Sequence, residues 1–221
     1  MKTPKRLALL LLLMNSAAAS PAAASPAAAS PAVTEVAAGR TVLRHPDGRP
    51  RLVTGLSITV PGKDLREKAE RFVELQGAAL GLGARSVRVD AVEGRSVRME
   101  QVHDGLPVQG AALILRFDAE GPSARLVNVN NETRSVKRTR PAKIDEAQAL
   151  ALAGRAVLGP SGKPSPKLPV KRLWLPLSAA GGEVIEVFEV LVATVPGTPP
   201  ERVLVDGERG EVIGRKSAGA H

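Results

Sequence analysis

The stretch Val97-Arg98-Met99-Glu100-Gln101-Val102-His103-Asp104-Gly105-Leu106-Pro107-Val108-Gln109-Gly110 decides how this chain is read. Asp-Gly between two alternating apolar/polar runs is a hairpin signal, because both turn residues must tolerate positive φ. Working outward, similar turns recur at Glu93-Gly94 and Glu120-Gly121. They delimit strand-like runs at 87–92, 96–103, 108–118 and 124–130. Leu113, Leu115 and Phe117 then share one face, with Ile114 and Arg116 on the other. Upstream, Leu52–Val60 alternates and ends at Pro61-Gly62. Asp64 and Glu67 have capping-box spacing, and Leu65, Ala69, Phe72, Val73, Leu75 and Leu80 follow at helical spacing. The expectation is one helix over 64–80 followed by an antiparallel meander.

The scheme restarts downstream. Asp145 and Gln148 form a second capping box, and Ile144, Ala147, Leu150, Ala151 and Val157 outline a helix to about Leu158. Gly159–Pro169 reads as a loop. Strands are expected at 170–177, 183–195, 202–205 and 211–215, separated by Gly- and Pro-containing turns. The fold class is therefore α+β: two small cystatin-like halves, each a helix packed on an antiparallel sheet.

The chain opens differently. Lys2, Lys5 and Arg6 precede the apolar run Leu7–Met14, and Ala17-Ala18-Ala19 supplies small residues for cleavage. This is the order of an export signal, and the run is too short to span a bilayer. Cleavage after Ala19 lowers the formal net charge from +9 to +6. Ser-Pro-Ala-Ala-Ala then repeats from Ser20, with a proline every fifth residue that prevents a continuous helix. The expected organisation is a signal peptide at 1–19 and a disordered linker at 20–39. Domains follow at 40–136 and 137–216, with a flexible tail at 217–221. The protein is expected to be exported, periplasmic or secreted, with no membrane span after cleavage.

Composition narrows the function. Cysteine is absent, which removes disulfides, thiolate metal sites and cysteine nucleophiles. His45, His103 and His221 lie far apart, and no His-Glu-x-x-His motif is present. No serine sits in a Gly-x-Ser-x-Gly elbow. No catalytic residue, metal site or cofactor is expected. Asp104, Asp118 and Asp206 sit at turns, where a carboxylate accepts local backbone N–H bonds. Asn131-Glu132-Thr133 is a formal glycosylation sequon. Between Arg134 and Arg172 there are ten Lys/Arg and only Asp145 and Glu146, a net +8. Aromatic residues make up 2% of the chain, which argues against base stacking and a nucleic-acid partner. An acidic protein, an anionic envelope surface and a merely solvated charged loop all remain open for this region.

The 97–110 stretch resembles the propeptides of thermolysin-like secreted metalloproteases, whose fungalysin/thermolysin propeptide (FTP) domain typically reads Arg-Phe-x-Gln-x-Tyr-x-Gly-Ile-Pro-Val-x-Gly. Arg98, Gln101, Gly105, Pro107, Val108 and Gly110 occupy the matching positions. Leu115–Asp118 and Leu126–Asn130 look like the next two strands. Ile144-Asp145-Glu146-Ala147 and Phe188-Glu189-Val190 are similar to a PepSY-like second domain. Val205–Val212, with Asp206 and Gly210, resembles its closing Val-Asp-Ala-x-Thr-Gly-Glu-Val hairpin. The resemblance spans about 40–216. His103 replaces the usual tyrosine, Met99 the usual phenylalanine, and Ala112 a common glutamate. The chain ends at His221, where the family continues into its peptidase.

That resemblance implies a foldase or inhibitor rather than an enzyme, with a thermolysin-like zinc metalloprotease as partner. Gly105 and Gly110 fit a turn needing positive φ, and Pro107 a fixed strand entry. Arg98 and Gln101, three apart on a strand, should point to opposite faces. The tail Ser217-Ala218-Gly219-Ala220-His221 is a candidate protease-binding element, because its carboxylate and imidazole both ligate zinc. Two alternatives stand beside this reading: an envelope PepSY-type scaffold with a non-protease partner, and an orphan propeptide without activity.

Overall fold

The computed structural model describes residues 34–37, 39–83, 85–160, 169–178, 182–193 and 199–218. The leader and the Ser-Pro-Ala repeat lie outside them. The chain runs β1 (Thr34–Ala37), β2 (Arg40–Arg44), β3 (Pro50–Thr54), β4 (Ile58–Thr59), α1 (Leu65–Gln76), β5 (Val87–Glu93), β6 (Ser96–His103), β7 (Leu106–Phe117) and β8 (Arg125–Asn131). It continues with β9 (Val136–Arg140), α2 (Glu146–Leu158), β10 (Val170–Pro176), β11 (Gly182–Val192), β12 (Glu201–Asp206) and β13 (Glu211–Ser217). A 3-10 turn at Gly77–Leu80 extends α1. The α+β class holds.

The strands join into one sheet in the order β1-β2-β3-β8-β7-β10-β11-β12-β13. β6 lies beside β7, and β5 beside β6; β4 pairs β8, and β9 pairs β11. Pairing is antiparallel except at β7–β10 and β9–β11. A purely antiparallel arrangement was expected, so these junctions are a correction. β9 is the chain's return from the first meander toward α2, and the return direction makes it parallel to β11. The basic stretch at 134–143 thus contains a strand and is not simply a charged loop.

Each helix has its own apolar cluster. Phe72, Leu65 and Ala69 of α1 pack on Val97, Met99, Leu113, Leu115 and Phe117. Ala149 and Ala153 of α2 pack on Phe188, Val190, Val203 and Val205. The short alanine side chains let α2 approach the sheet closely. Burial of each large aliphatic or aromatic side chain contributes about 1.5–3 kcal/mol.

Both helix starts follow from capping. Asp145 accepts from Gln148 N and Gln148 Oε1 accepts from Asp145 N, a reciprocal box. Asp64 accepts from Glu67 N, but Glu67 reaches back to Lys63 N instead of Asp64 N, so this box is displaced by one residue.

The expected strand at 52–60 is broken into β3 and β4, because Gly55 adopts φ +69°. A Cβ there would lie 2.0 Å from Gly39 O, so the break is sterically locked to glycine. β1 falls inside the segment expected to be linker, and β2 was not anticipated. They form a hairpin extending the sheet beyond β3.

Candidate functional site

The 97–110 motif builds a junction. At its centre Asp104 (φ +46°) and Gly105 (φ +80°) make the two-residue turn between β6 and β7. Beyond it the strands separate. Glu100 faces Ala112 and Val102 faces Pro107, so Gln101 alone opposes four residues of β7. Gly110, at φ +68°, lies within this bulge. Val108, freed from β6, pairs instead with Trp174 of β10. Val108, Ala111, Trp174 and Val184 form the small apolar cluster there. Trp174 Nε1 donates to His103 O at 2.8 Å, and the two rings meet edge to face at 6.1 Å. The bulge therefore re-aims β7 from its hairpin partner to the downstream strands.

Gln101 and Arg98 point to opposite faces, as their spacing requires. Gln101 is 7% exposed, and its amide brackets the backbone of Arg134 at 2.8 and 2.7 Å. The Arg98 side chain is 49% exposed and lies 3.6 Å from Asp90. His103 is a turn-flanking residue, 3.4 Å from the Asp104 carboxylate. Asp118 and Asp206 do accept backbone N–H bonds, from Arg125 and from Glu208 and Arg209. The bonds from Arg125 hold the Asp118 carboxyl below its ordinary value.

The closing hairpin is tied to α2's entry. Gly207 N donates to Glu186 O, while Gly207 O accepts from Lys143 N and Ile144 N. Glu186, 3% exposed, accepts from Arg172 through Oε1 and from Ala142 N through Oε2. Gly210 has φ +70° and completes the turn. Glu208 is held below its ordinary value mainly by its bond from Lys143, and Glu183 by its bond from Arg140.

Two residues carry more than their sequence suggested. Asn131 is 0% exposed; its Nδ2 donates to Pro50 O and Leu80 O, and its Oδ1 accepts from Thr133. Its backbone carbonyl lies 2.6 Å from His45 Nε2. The formal sequon is therefore an internal strut, with no free amide for a glycan. Lys68 is 1% exposed, and its Nζ donates to Val60 O at 2.7 Å. It sits three residues after Leu65, on the core face of α1, a placement that its charge concealed.

Ser217, placed by the sequence in the tail, belongs to β13. Ser217 pairs with Glu201 in the last strand, and Ala218 N donates to Pro200 O. Gly219, Ala220 and His221 lie outside the described residues. Among the described residues no group of three His, Asp or Glu is placed to hold a metal. No helix among them is long and apolar enough to cross a membrane.

The bulge, the turn and the Gln101 clamp together cover the middle of the chain, and a family comparison selects the same region. Residues 81–132 match the Fungalysin/Thermolysin Propeptide Motif. The match runs from the αL glycine after the 3-10 turn to the end of β8, so this segment is a propeptide-like module. A solved structure, the Bacillus megaterium YpeB C-terminal domain, aligns with a TM-score of 0.39 and 11% identity, over 80% of this chain and 75% of that one. No curated protein matches.

Proposed function

We propose that this chain is an exported, non-catalytic propeptide-like protein that binds a thermolysin-like zinc metalloprotease as a separate chain, as an inhibitor, a folding chaperone or both. The observation that carries the reading is the motif match over 81–132, on a segment whose turn and bulge form a strand junction. Gly105 and Gly110 turn the backbone, Val108 pairs with β10, Gln101 bonds the backbone of Arg134, and Arg98 lies exposed beside Asp90. The second portion, with α2 and β10–β13, is read as the PepSY-like domain. The basic leader with its short apolar run supports export.

The test is incubation of the purified protein with thermolysin-like enzymes, measuring both residual activity and the refolding yield of denatured enzyme. The reading requires a saturable effect on one of the two. An absence of binding across the panel, by calorimetry as well as activity, sinks it.

A further inference from the structure

A groove runs between α1 and the edge strand β5. Its floor is apolar: Leu82, Val87 and Met99 are buried, and Val73 and Val89 pack beside them. One rim is the exposed helix face with Glu70 and Glu74; the other is the strand side with Arg85 and Arg88. Among the described residues β5 pairs only with β6, so its other edge presents unpaired backbone donors and acceptors to the groove. The register shifts at Asp90, which confines the regular edge to Val87–Val89.

We propose that this groove receives an extended segment of the partner protease, added as a strand along Val87–Val89. Strand addition supplies main-chain bonds, and the apolar floor accepts alternate side chains. The charges specify the rest. Arg88 is already bound to Glu100, and Glu74 to Arg71. Glu70 and Arg85 have no side-chain partner among the described residues and carry opposite signs on opposite rims. The segment that fits has alternating aliphatic residues flanked by one basic and one acidic side chain. A second copy of β5 fits poorly: antiparallel self-pairing over Val87–Val89 centres on Arg88 and sets arginine against arginine.

The groove rests on the protease reading only for the identity of the partner, and the experiment separates the two. The first arm titrates the ¹⁵N-labelled full chain with acetyl-Lys-Val-Thr-Val-Glu-amide, and with the same peptide N-methylated throughout. Amide shifts are expected at Val87–Val89 and along residues 70–74 with the first peptide alone. Glu70→Lys and Arg85→Glu, both at exposed positions, should each raise Kd roughly threefold to fivefold. Shifts that are absent, lie elsewhere or persist with the methylated peptide overturn the groove. The second arm measures binding of a thermolysin-like enzyme by wild type and the double charge variant. Peptide binding without enzyme binding sinks the protease reading and leaves strand addition standing. Equal enzyme binding by both forms overturns the groove as the protease contact.

Discussion

The Gln101 side chain pairs with the backbone of Arg134 as though it were a strand: Nε2 donates to Arg134 O at 2.8 Å, and Oε1 accepts from Arg134 N at 2.7 Å. It does so where β6 and β7 have separated, and it anchors the segment leading into β9. Gln101→Leu keeps the apolar stem and removes both bonds. The expected loss is about 2–3 kcal/mol, because the main-chain donor and acceptor lose their partners in a part-buried site. Urea unfolding of the variant measures it, and an unchanged midpoint would show that water replaces the amide.

Two glycines separate steric from conformational demand. A Cβ at Gly207 would lie 2.7 Å from both Ala142 Cβ and Glu186 O, whereas one at Gly110 meets nothing within 4 Å. Gly207→Ala should therefore destabilise by about 2–3 kcal/mol through displaced backbone. Gly110→Ala should cost about 1 kcal/mol, from its positive φ alone. Thermal melts of both variants rank them; equal losses would contradict the steric account.

Acid sensitivity follows from the carboxylates at the strand ends. Asp118, Glu183 and Glu208 all titrate below their ordinary values, through bonds from Arg125, Arg140 and Lys143 respectively. A depressed folded-state value means that the unfolded chain binds more protons as pH falls. Their stabilising contribution is complete above the ordinary values of 3.8 and 4.5, and is lost as pH drops through the depressed ones. Urea midpoints should be flat from pH 7 to about 5 as far as these groups are concerned, and fall below that. Glu183→Gln should flatten the fall. A decline of equal steepness in that variant would remove Glu183 from the account.

Lys68 tests the cost of a buried amine. Its Nζ reaches Val60 O, and its stem lies against Gly62. Lys68→Met preserves the stem volume and removes the charge, so stability should change by less than about 1.5 kcal/mol. Lys68→Ala opens a cavity beneath α1 and should cost about 2–4 kcal/mol. Denaturant midpoints of the pair decide between packing and hydrogen bonding: a larger loss in the methionine variant would assign the dominant role to the amine.

Local chemistry made much of this protein legible before folding. Asp-Gly and Glu-Gly turns, two Asx caps and period-two alternation are interactions within a few residues, and they placed both helices and the strands from β5 to β8 and from β10 to β13. The Asp104-Gly105 turn inside the motif was legible for the same reason: the turn residues act on their own backbone. Tertiary structure decided what depends on distant partners. β9 is a strand only because β11 lies beside it. Lys68 and Asn131 are interior only because Val60 O, Pro50 O and Leu80 O come to meet them. The parallel junction of Val108 with Trp174 joins residues 66 apart in sequence, and no local pattern encodes such a pairing. Hydrogen bonds and apolar burial between remote segments are satisfied only once the chain has closed, so their roles are read from contacts and not from spacing.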